Sequence, residues 1–306
     1  MSEDTEHETD DSEDESKASE DESKDSEDES KDSKDSKDDS KDPGVRVVDS
    51  GGDGRPVVLI HGWPLDGTSW SAQVPALRDA GYRTVVYDRR GFGRSDPGDG
   101  YDYDKLTGDL DNVMKDLDLN DATLVGFSMG GGEVARYVSA YGEDRLHSVV
   151  FASAVPPYLR KTDDNPDGPL DDDAAAEMKK GLQDDRDAFF DQFTTQFFSA
   201  GDDLKVSGEQ REEALAVCKK SDQEAALGCM DAWASTDFRD DLSKVSVPAL
   251  VIHGDSDGIV PFDGSGKRTH DAIDGSELVV IEDGPHGVNV SHADEFNRAL
   301  LEFLDT

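Results

Sequence analysis

The residue best suited to chemistry is Ser128, in the sequence Gly126-Phe127-Ser128-Met129-Gly130. This G-x-S-x-G pattern follows the apolar run 122–125 and precedes a helical pattern, which predicts a sharp turn between a strand and a helix. Such a turn holds a serine in a strained conformation with its hydroxyl exposed, and the glycines leave room for neighbouring elements. We therefore expect Ser128 to act as a nucleophile.

His286 is the predicted general base, because a serine hydroxyl is a weak nucleophile at neutral pH without one. Among the seven histidines, it lies in the loop directly after the last predicted strand, 277–281. A chain order of serine, acid and histidine places the base there. His292, at the start of the following helix, is the alternative. His61 and His253 precede glycines at strand ends, and we expect both to be structural.

Asp257 is the predicted acid that orients the imidazole and stabilises its protonated form. It lies in the loop 253–261, which follows the predicted strand 248–252. Asp255 is nearer to the strand end, where an Asx-type bond to the backbone would shape the turn. We therefore give the catalytic role to Asp257 and keep Asp255 as the alternative.

Alternating strands and helices must position these three residues. Apolar runs predict strands at 45–48, 56–60, 83–87, 122–125, 148–151, 248–252 and 277–281, and helical patterns occupy 70–80, 102–119, 262–273, 292–304 and the segment after Ser128. This alternation predicts an α/β fold with a mostly parallel sheet and helices on both faces. The candidate residues then lie at the carboxyl ends of strands, where such sheets bind ligands.

The alternation stops between 156 and 244, where the sequence holds no convincing strand. Amphipathic patterns predict four helices there, around 171–182, 185–199, 207–219 and 222–234. We interpret 156–244 as a helical cap inserted into a core formed by 45–155 and 245–306. The acidic run Asp171-Asp172-Asp173 is better explained as solvated surface than as a metal site.

The chain is strongly acidic, with 72 acidic and 31 basic residues among 306. Residues 1–44 hold 21 acidic residues, 6 lysines and no apolar run, which predicts a disordered tail. Residues 45–306 keep 51 acidic and 25 basic residues. Such self-repulsion destabilises a compact state at low salt and is screened in molar salt, so we interpret the chain as adapted to a high-salt cytoplasm.

The same charge argues against polyanionic partners, so we expect neither nucleic acid nor an anionic membrane to bind. The chain has no apolar stretch long enough for a transmembrane helix and no apolar leader, and we expect a cytoplasmic location. The two cysteines, Cys218 and Cys229, are expected to be buried, reduced thiols. The sequence leaves open whether the chain forms a homo-oligomer.

From about residue 45 to 304, these motifs together resemble the α/β-hydrolase superfamily. Within it they are most similar to the cofactor-free, non-haem haloperoxidases and their aryl-esterase relatives. The matching segments are 61–65 (HGWPL), 88–95 (DRRGFGRS), 126–137 (GFSMGGGEVARY), 153–157 (SAVPP), 165–168 (NPDG), 234–238 (ASTDF) and 284–287 (GPHG). The extension after the serine and the pieces from the expected cap are more specific than the G-x-S-x-G pattern alone.

The resemblance implies Ser128 as nucleophile, Asp257 as acid and His286 as base. In this fold the oxyanion is bound by backbone N–H groups, here those of Met129 and Trp63. The family needs neither haem nor metal, so no cofactor is expected. Its members hydrolyse small carboxylic esters through an acyl-enzyme, and hydrogen peroxide can replace water to give a peracid that oxidises halide. The expected partners are therefore an ester or carboxylic acid, hydrogen peroxide and halide.

Other functions stay open at this point. Ser128 excludes the related enzymes whose nucleophile is an aspartate, but carbon–carbon bond hydrolases and lactonases use the same triad. A ligand-binding protein without turnover is the less favoured alternative, because the sequence contains the nucleophile, the acid and the base of a complete triad. Helical spacing also cannot separate pocket from core among the aromatic residues of the expected cap, Phe189, Phe193, Phe197, Phe198 and Trp233.

Overall fold

The structure is a computed structural model that describes residues 44–306. The acidic tail expected at 1–44 therefore lies outside the described residues, apart from its last residue. The described part contains nine strands: β1 (Arg46–Asp49), β2 (Pro56–Ile60), β3 (Arg83–Asp88), β4 (Ala122–Phe127), β5 (Leu146–Ala152), β6 (Ser199–Ala200), β7 (Asp203–Leu204), β8 (Ala249–Gly254) and β9 (Glu277–Ile281).

Seven of these strands form one sheet in the order β1-β3-β2-β4-β5-β8-β9. Within this sheet β1 pairs antiparallel with β3, and the other strand pairs described are parallel. Strands β4 and β8 are buried along their whole length, so both faces of the sheet are covered in its middle. The predicted α/β fold with a mostly parallel sheet is confirmed.

The helices described outside the segment 156–244 are α1 (Gln73–Asp79), α2 (Tyr103–Asp116), α3 (Met129–Tyr141), α9 (Gly266–Ala272), α10 (Val288–Ser291) and α11 (Ala293–Leu304). The helix predicted at 70–80 is shorter than expected. The side chain of Asp66 accepts a hydrogen bond from the N–H of Thr68 and starts a separate 3-10 turn, Gly67–Trp70, before α1 begins.

The segment between β5 and β8 contains the four predicted helices, α4 (Asp172–Asp184), α5 (Arg186–Phe197), α6 (Gly208–Lys220) and α7 (Gln223–Ser235), followed by the short α8 (Arg239–Leu242). Each of the four long helices starts after a side chain that caps it. The caps are Asp171, Asp185, Ser207 and Asp222. Asp171, from the acidic run, is thus a helix cap.

One expectation for this segment was wrong, because it does contain strands. Strands β6 and β7 pair antiparallel as a minimal hairpin, and Gly201 in its turn has φ 58°, a left-handed conformation that glycine adopts without strain. Two-residue strands are too short to show an alternating pattern in the sequence. Helix α5 therefore ends at Phe197 and not at residue 199 as predicted.

Both cysteines are buried and reduced, as expected. Burial raises the pKa of the Cys229 thiol to about 12 and raises that of Cys218 further, so neither is an active thiol at neutral pH. Across residues 44–306, none of the helices is long and apolar enough to cross a membrane.

Candidate active site

Ser128 lies between the end of β4 and the first residue of α3, with φ 54° and ψ −118°. A positive φ is unfavourable for a residue with a side chain, and the glycines around it make this turn feasible. A Cβ added to Gly126 would lie 2.4 Å from the carbonyl oxygen of Gly130, and one on Gly130 would lie 2.6 Å from that of Ile60. The structure therefore has the predicted tight turn between strand and helix, with Ser128 at its apex.

The structure brings Ser128, His286 and Asp257 together. The Ser128 Oγ lies 2.9 Å from His286 Nε2, and His286 Nδ1 lies 2.7 Å from Asp257 Oδ2. A carboxylate can only accept a hydrogen bond, so Nδ1 carries the imidazole proton and Nε2 accepts from the serine hydroxyl. All three residues are buried, with exposures of 6% for Ser128, 6% for Asp257 and 1% for His286.

Asp257 is held as an ionised carboxylate. Burial alone would raise its pKa, but the charge of His286 and the contacts with His253 and His286 hold the pKa of Asp257 well below its ordinary value. Its Oδ1 also accepts hydrogen bonds from the backbone N–H groups of Ile259 (2.9 Å) and Val260 (2.8 Å). Asp257 can therefore stabilise an imidazolium at neutral pH.

The alternatives considered from the sequence lie elsewhere. Asp255 is exposed, accepts a hydrogen bond from the backbone N–H of Asp283 (2.8 Å) and shapes the turn, as its spacing indicated. His292 Nδ1 contacts the hydroxyl of its neighbour Ser291 (2.9 Å). The histidine that contacts the serine hydroxyl is therefore His286, and the acid that contacts His286 is Asp257.

The loop after β2 runs directly beside Ser128. A Cβ added to Gly62 would lie 3.1 Å from the Cβ of Ser128, so the Gly62–Trp63 peptide is adjacent to the serine. Met129 is the first residue of α3, and the first N–H groups of a helix have no acceptor within the helix. Both peptide units expected to bind an oxyanion are thus next to Ser128.

A buried ionic network supports this loop. Arg89 forms a hydrogen-bonded ion pair with Glu133 and donates from Nη2 to the carbonyl of His61 (2.7 Å). Tyr87 donates its hydroxyl to the other Glu133 oxygen (2.6 Å). Arg89 is 1% exposed and Glu133 0%. A buried charge is stable only beside an opposite charge, so Arg89 and Glu133 hold each other in place. Because Arg89 also binds the carbonyl of His61, the pair fixes the position of the end of β2.

His61 connects this network to the expected oxyanion loop. Its Nε2 accepts from the Arg89 backbone N–H (2.9 Å), so the proton sits on Nδ1, which donates to the carbonyl of Gly62 (2.8 Å). Burial and the charge of Arg89 hold the pKa of His61 well below its ordinary value, so the ring stays neutral. The Gly62 carbonyl and the Trp63 N–H belong to one peptide unit, and His61 thereby fixes its plane.

Sequence reasoning missed this network. It gave His61 a structural role only and assigned nothing to Arg89 or Glu133. One signal was available: Glu133 shares a helix face with Gly130 and Tyr137, which are both buried, and a charge on a buried face requires a partner. The sequence could not name Arg89 as that partner, because the two residues lie 44 positions apart.

Aromatic residues from the segment 156–244 pack over the site. The Trp63 indole donates to the carbonyl of Ala226 in α7 (2.9 Å), and its ring contacts those of Phe193 and Trp233 at centroid distances of 5.2 and 5.8 Å. The Phe197 ring stands edge-on to the imidazole of His286 at 4.9 Å. These contacts tie the expected oxyanion loop and the base to helices α5 and α7.

A cavity of about 10 Å³ adjoins Ser128 and His286. Its other lining residues are Trp63, Val155, Phe193, Trp233, Ile259 and Val260. This is about the volume that one water molecule needs. A second cavity of about 370 Å³, lined also by Met178 and Phe189, shares Phe193 and Ile259 with the first. Among the five aromatic residues named for the expected cap, Phe193 and Trp233 line the serine cavity, whereas Phe198 lines neither of these two cavities.

Comparisons with known proteins agree with this architecture. The family model for the alpha/beta hydrolase fold matches residues 55–293. A non-heme chloroperoxidase of Kitasatospora aureofaciens is 45% identical over 258 residues (83% of this chain, 94% of the relative), and a bifunctional esterase/perhydrolase of Acinetobacter calcoaceticus is 35% identical over 263 residues (84% and 94%). The crystal structure of a Bacillus anthracis bromoperoxidase superposes with a TM-score of 0.84 at 54% identity, covering 86% of this chain and 95% of that one. The chain therefore belongs to the α/β-hydrolase family.

Proposed function

We propose that this protein hydrolyses small carboxylic esters through an acyl-enzyme formed on Ser128. The observation that carries the proposal is the continuous contact from Ser128 Oγ to His286 Nε2 (2.9 Å) and from His286 Nδ1 to Asp257 Oδ2 (2.7 Å). This arrangement allows proton transfer from the serine to the imidazole while the carboxylate stabilises the charge that develops.

In the proposed reaction, Ser128 Oγ attacks the ester carbonyl carbon and its proton passes to His286. The carbonyl oxygen becomes an oxyanion that accepts hydrogen bonds from the N–H groups of Met129 and Trp63. The intermediate collapses, the carbon–oxygen bond to the alcohol breaks, and the alcohol leaves with the proton from His286. Water then attacks the acyl carbon and gives a proton to His286. The bond from the acyl carbon to Ser128 Oγ breaks, His286 returns the proton to Oγ, and the carboxylic acid leaves. The side chains of the triad and two backbone N–H groups carry every step of this scheme, so it requires no cofactor.

We propose further that hydrogen peroxide can replace water in the second half of the reaction. The product is then a peracid, which would oxidise halide after release. The names of the relatives support this extension, since they include an esterase/perhydrolase and a bromoperoxidase. The small cavity beside Ser128 has about the volume of one water molecule, the nucleophile that peroxide would replace.

A screen of p-nitrophenyl esters of increasing acyl length tests the proposal, in molar KCl with and without hydrogen peroxide and bromide. We expect hydrolysis of the short esters, and with peroxide and bromide we expect bromination of a phenol-red indicator. Ser128→Ala is the control and should abolish both activities together. Turnover that survives in Ser128→Ala, or halogenation without any ester hydrolysis, would contradict the proposal.

Pro64 offers a test of the peroxide step. Proline fixes φ and lacks an N–H, so it holds the preceding carbonyl, that of Trp63, in one orientation where it can accept a hydrogen bond from peroxide. We expect Pro64→Leu to lower the ratio of perhydrolysis to hydrolysis by about fivefold to tenfold, the value of one hydrogen bond. The exposed Pro97→Leu is the matched control and should leave the ratio unchanged. An unchanged ratio in Pro64→Leu would rule out this role.

We propose that residues 156–244 act as a cap on a core formed by 45–155 and 245–306. The bond from the Trp63 indole to Ala226 in α7 supports this division, as does the presence of Phe193 and Trp233 in the serine cavity. Substrate would then pass the shared lining residues Phe193 and Ile259 to reach Ser128.

We propose that the protein works in a high-salt cytoplasm. Its residues 45–306 carry 51 acidic and 25 basic side chains, and their repulsion is screened only when the Debye length falls from about 10 Å at 0.1 M salt to about 3 Å at 1 M. We expect Tm to rise by roughly 10 °C between these KCl concentrations, which for a domain of this size corresponds to about 3 kcal/mol. Thermal unfolding followed by circular dichroism measures it. An equal rise in sucrose of matched osmolality would contradict an electrostatic origin.

A further inference from the structure

We propose that His253 is a positioning residue that holds Asp257 in place for His286. This inference rests on the catalytic role proposed above for Asp257. His253 lies at the carboxyl end of β8, one residue before the strand ends at Gly254, and its side chain is completely buried. The sequence predicted only a structural role for it, but in the structure its imidazole contacts Asp257.

The contacts of His253 define what it can do. Its Nε2 lies 2.8 Å from the carbonyl oxygen of Val260 and 3.2 Å from Oδ2 of Asp257. Both of these oxygens are acceptors, so Nε2 carries a proton and is the donor. One N–H group therefore contacts both the carboxylate and the loop that follows it.

These contacts complete a frame around the Asp257 carboxylate. Its Oδ1 is held by the backbone N–H groups of Ile259 and Val260, and its Oδ2 contacts His286 and His253. His253 contacts the carboxylate directly at Oδ2. It also donates to the carbonyl of Val260, the residue whose N–H binds Oδ1. A carboxylate held on both oxygens cannot rotate away from the imidazole that it must orient.

The other ring nitrogen of His253, Nδ1, shows that an imidazole is costly at this position. His253 Nδ1 is buried and has no hydrogen-bond partner. A Cβ added to Gly266 would lie 2.4 Å from that nitrogen, so the backbone of α9 closes this side of the ring. A buried polar atom without a partner costs stability that an apolar side chain would not lose. We infer that the donor at Nε2 accounts for the histidine.

Two substitutions of similar polarity separate this role from general packing. In His253→Gln the side-chain amide can reach the Nε2 position and donate to the same oxygens. In His253→Asn the amide reaches only the Nδ1 position. We expect kcat for a short p-nitrophenyl ester to fall about tenfold in His253→Asn, with KM unchanged, and no more than about threefold in His253→Gln. Equal losses in the two variants, or a loss in KM alone, would overturn the inference.

A double-mutant cycle with Asp257→Asn provides the second readout. Because His253 acts through the carboxylate, His253→Asn should lower kcat by less than about twofold once Asp257 is already replaced. A purely structural histidine would reduce kcat by the same factor in both backgrounds, which would overturn the inference. If Asp257→Asn alone had no effect on kcat, the proposed function itself would fail. If Asp257→Asn were damaging and His253→Asn harmless, only this inference would fail.

Discussion

Replacing His286 with alanine is expected to lower kcat for a short p-nitrophenyl ester by roughly 10⁵-fold, as loss of a triad base does in serine hydrolases. The hydroxyl of Ser128 then has no acceptor for its proton, because His286 Nε2 is the group at 2.9 Å from Oγ. We expect the residual rate to come from the proposed oxyanion N–H groups of Met129 and Trp63, which this substitution leaves in place. Initial-rate kinetics in molar KCl measure the loss.

His292→Ala is the matched control for this prediction. His292 is the only other histidine that the sequence offers near the end of β9, and its Nδ1 contacts Ser291 in the structure. We expect its kcat to stay within about twofold of the unsubstituted enzyme, as for a surface substitution remote from the reacting atoms. A large loss in His292→Ala together with a small one in His286→Ala would show that the wrong base had been assigned.

Replacing Glu133 with alanine is expected to lower the free energy of unfolding by about 3–5 kcal/mol, the usual cost of breaking a buried ion pair. The reason is that Arg89, 1% exposed, would keep its charge without a counter-ion. Tyr87 would lose its acceptor as well. Urea unfolding in molar KCl gives the value, because urea leaves the ionic strength unchanged.

Asp231→Ala is the control, since it also removes one carboxylate from an ion pair. Asp231 binds Lys179 at the surface, with side-chain exposures of 57% and 40%. Exposed pairs contribute about 0–1 kcal/mol, so we expect a change of no more than about that size. Similar losses in the two variants would contradict the view that burial makes the Arg89–Glu133 pair important.

The sequence was sufficient to predict the features that depend on local residue patterns. The alternation of strands and helices, the turn at Ser128 and the four helices between β5 and β8 all depend on residues close together in the chain. Asp257 and His286 were also placed correctly in space, because both follow strands whose carboxyl ends meet at one edge of a parallel sheet. Their catalytic roles remain proposals.

The parts that sequence reasoning missed depend on contacts between distant residues. The Arg89–Glu133 pair joins the residue after β3 to α3. His253 contacts Asp257 because the loop after β8 folds back against the end of that strand. The sequence also could not show which aromatic residues of the segment 156–244 line the serine cavity and which do not. Phe193 and Phe198 are similar in type and both buried, but only Phe193 lines the cavity beside the serine.

The most direct test of the central claim is covalent labelling with a fluorophosphonate, followed by peptide mass spectrometry. The reagent reacts with a serine only when that serine is activated by a base. We expect one adduct per chain, on Ser128, formed at least about 10³-fold more slowly in His286→Ala because proton transfer to the base is lost. An adduct on another residue, or an equal rate of labelling in His286→Ala, would contradict it.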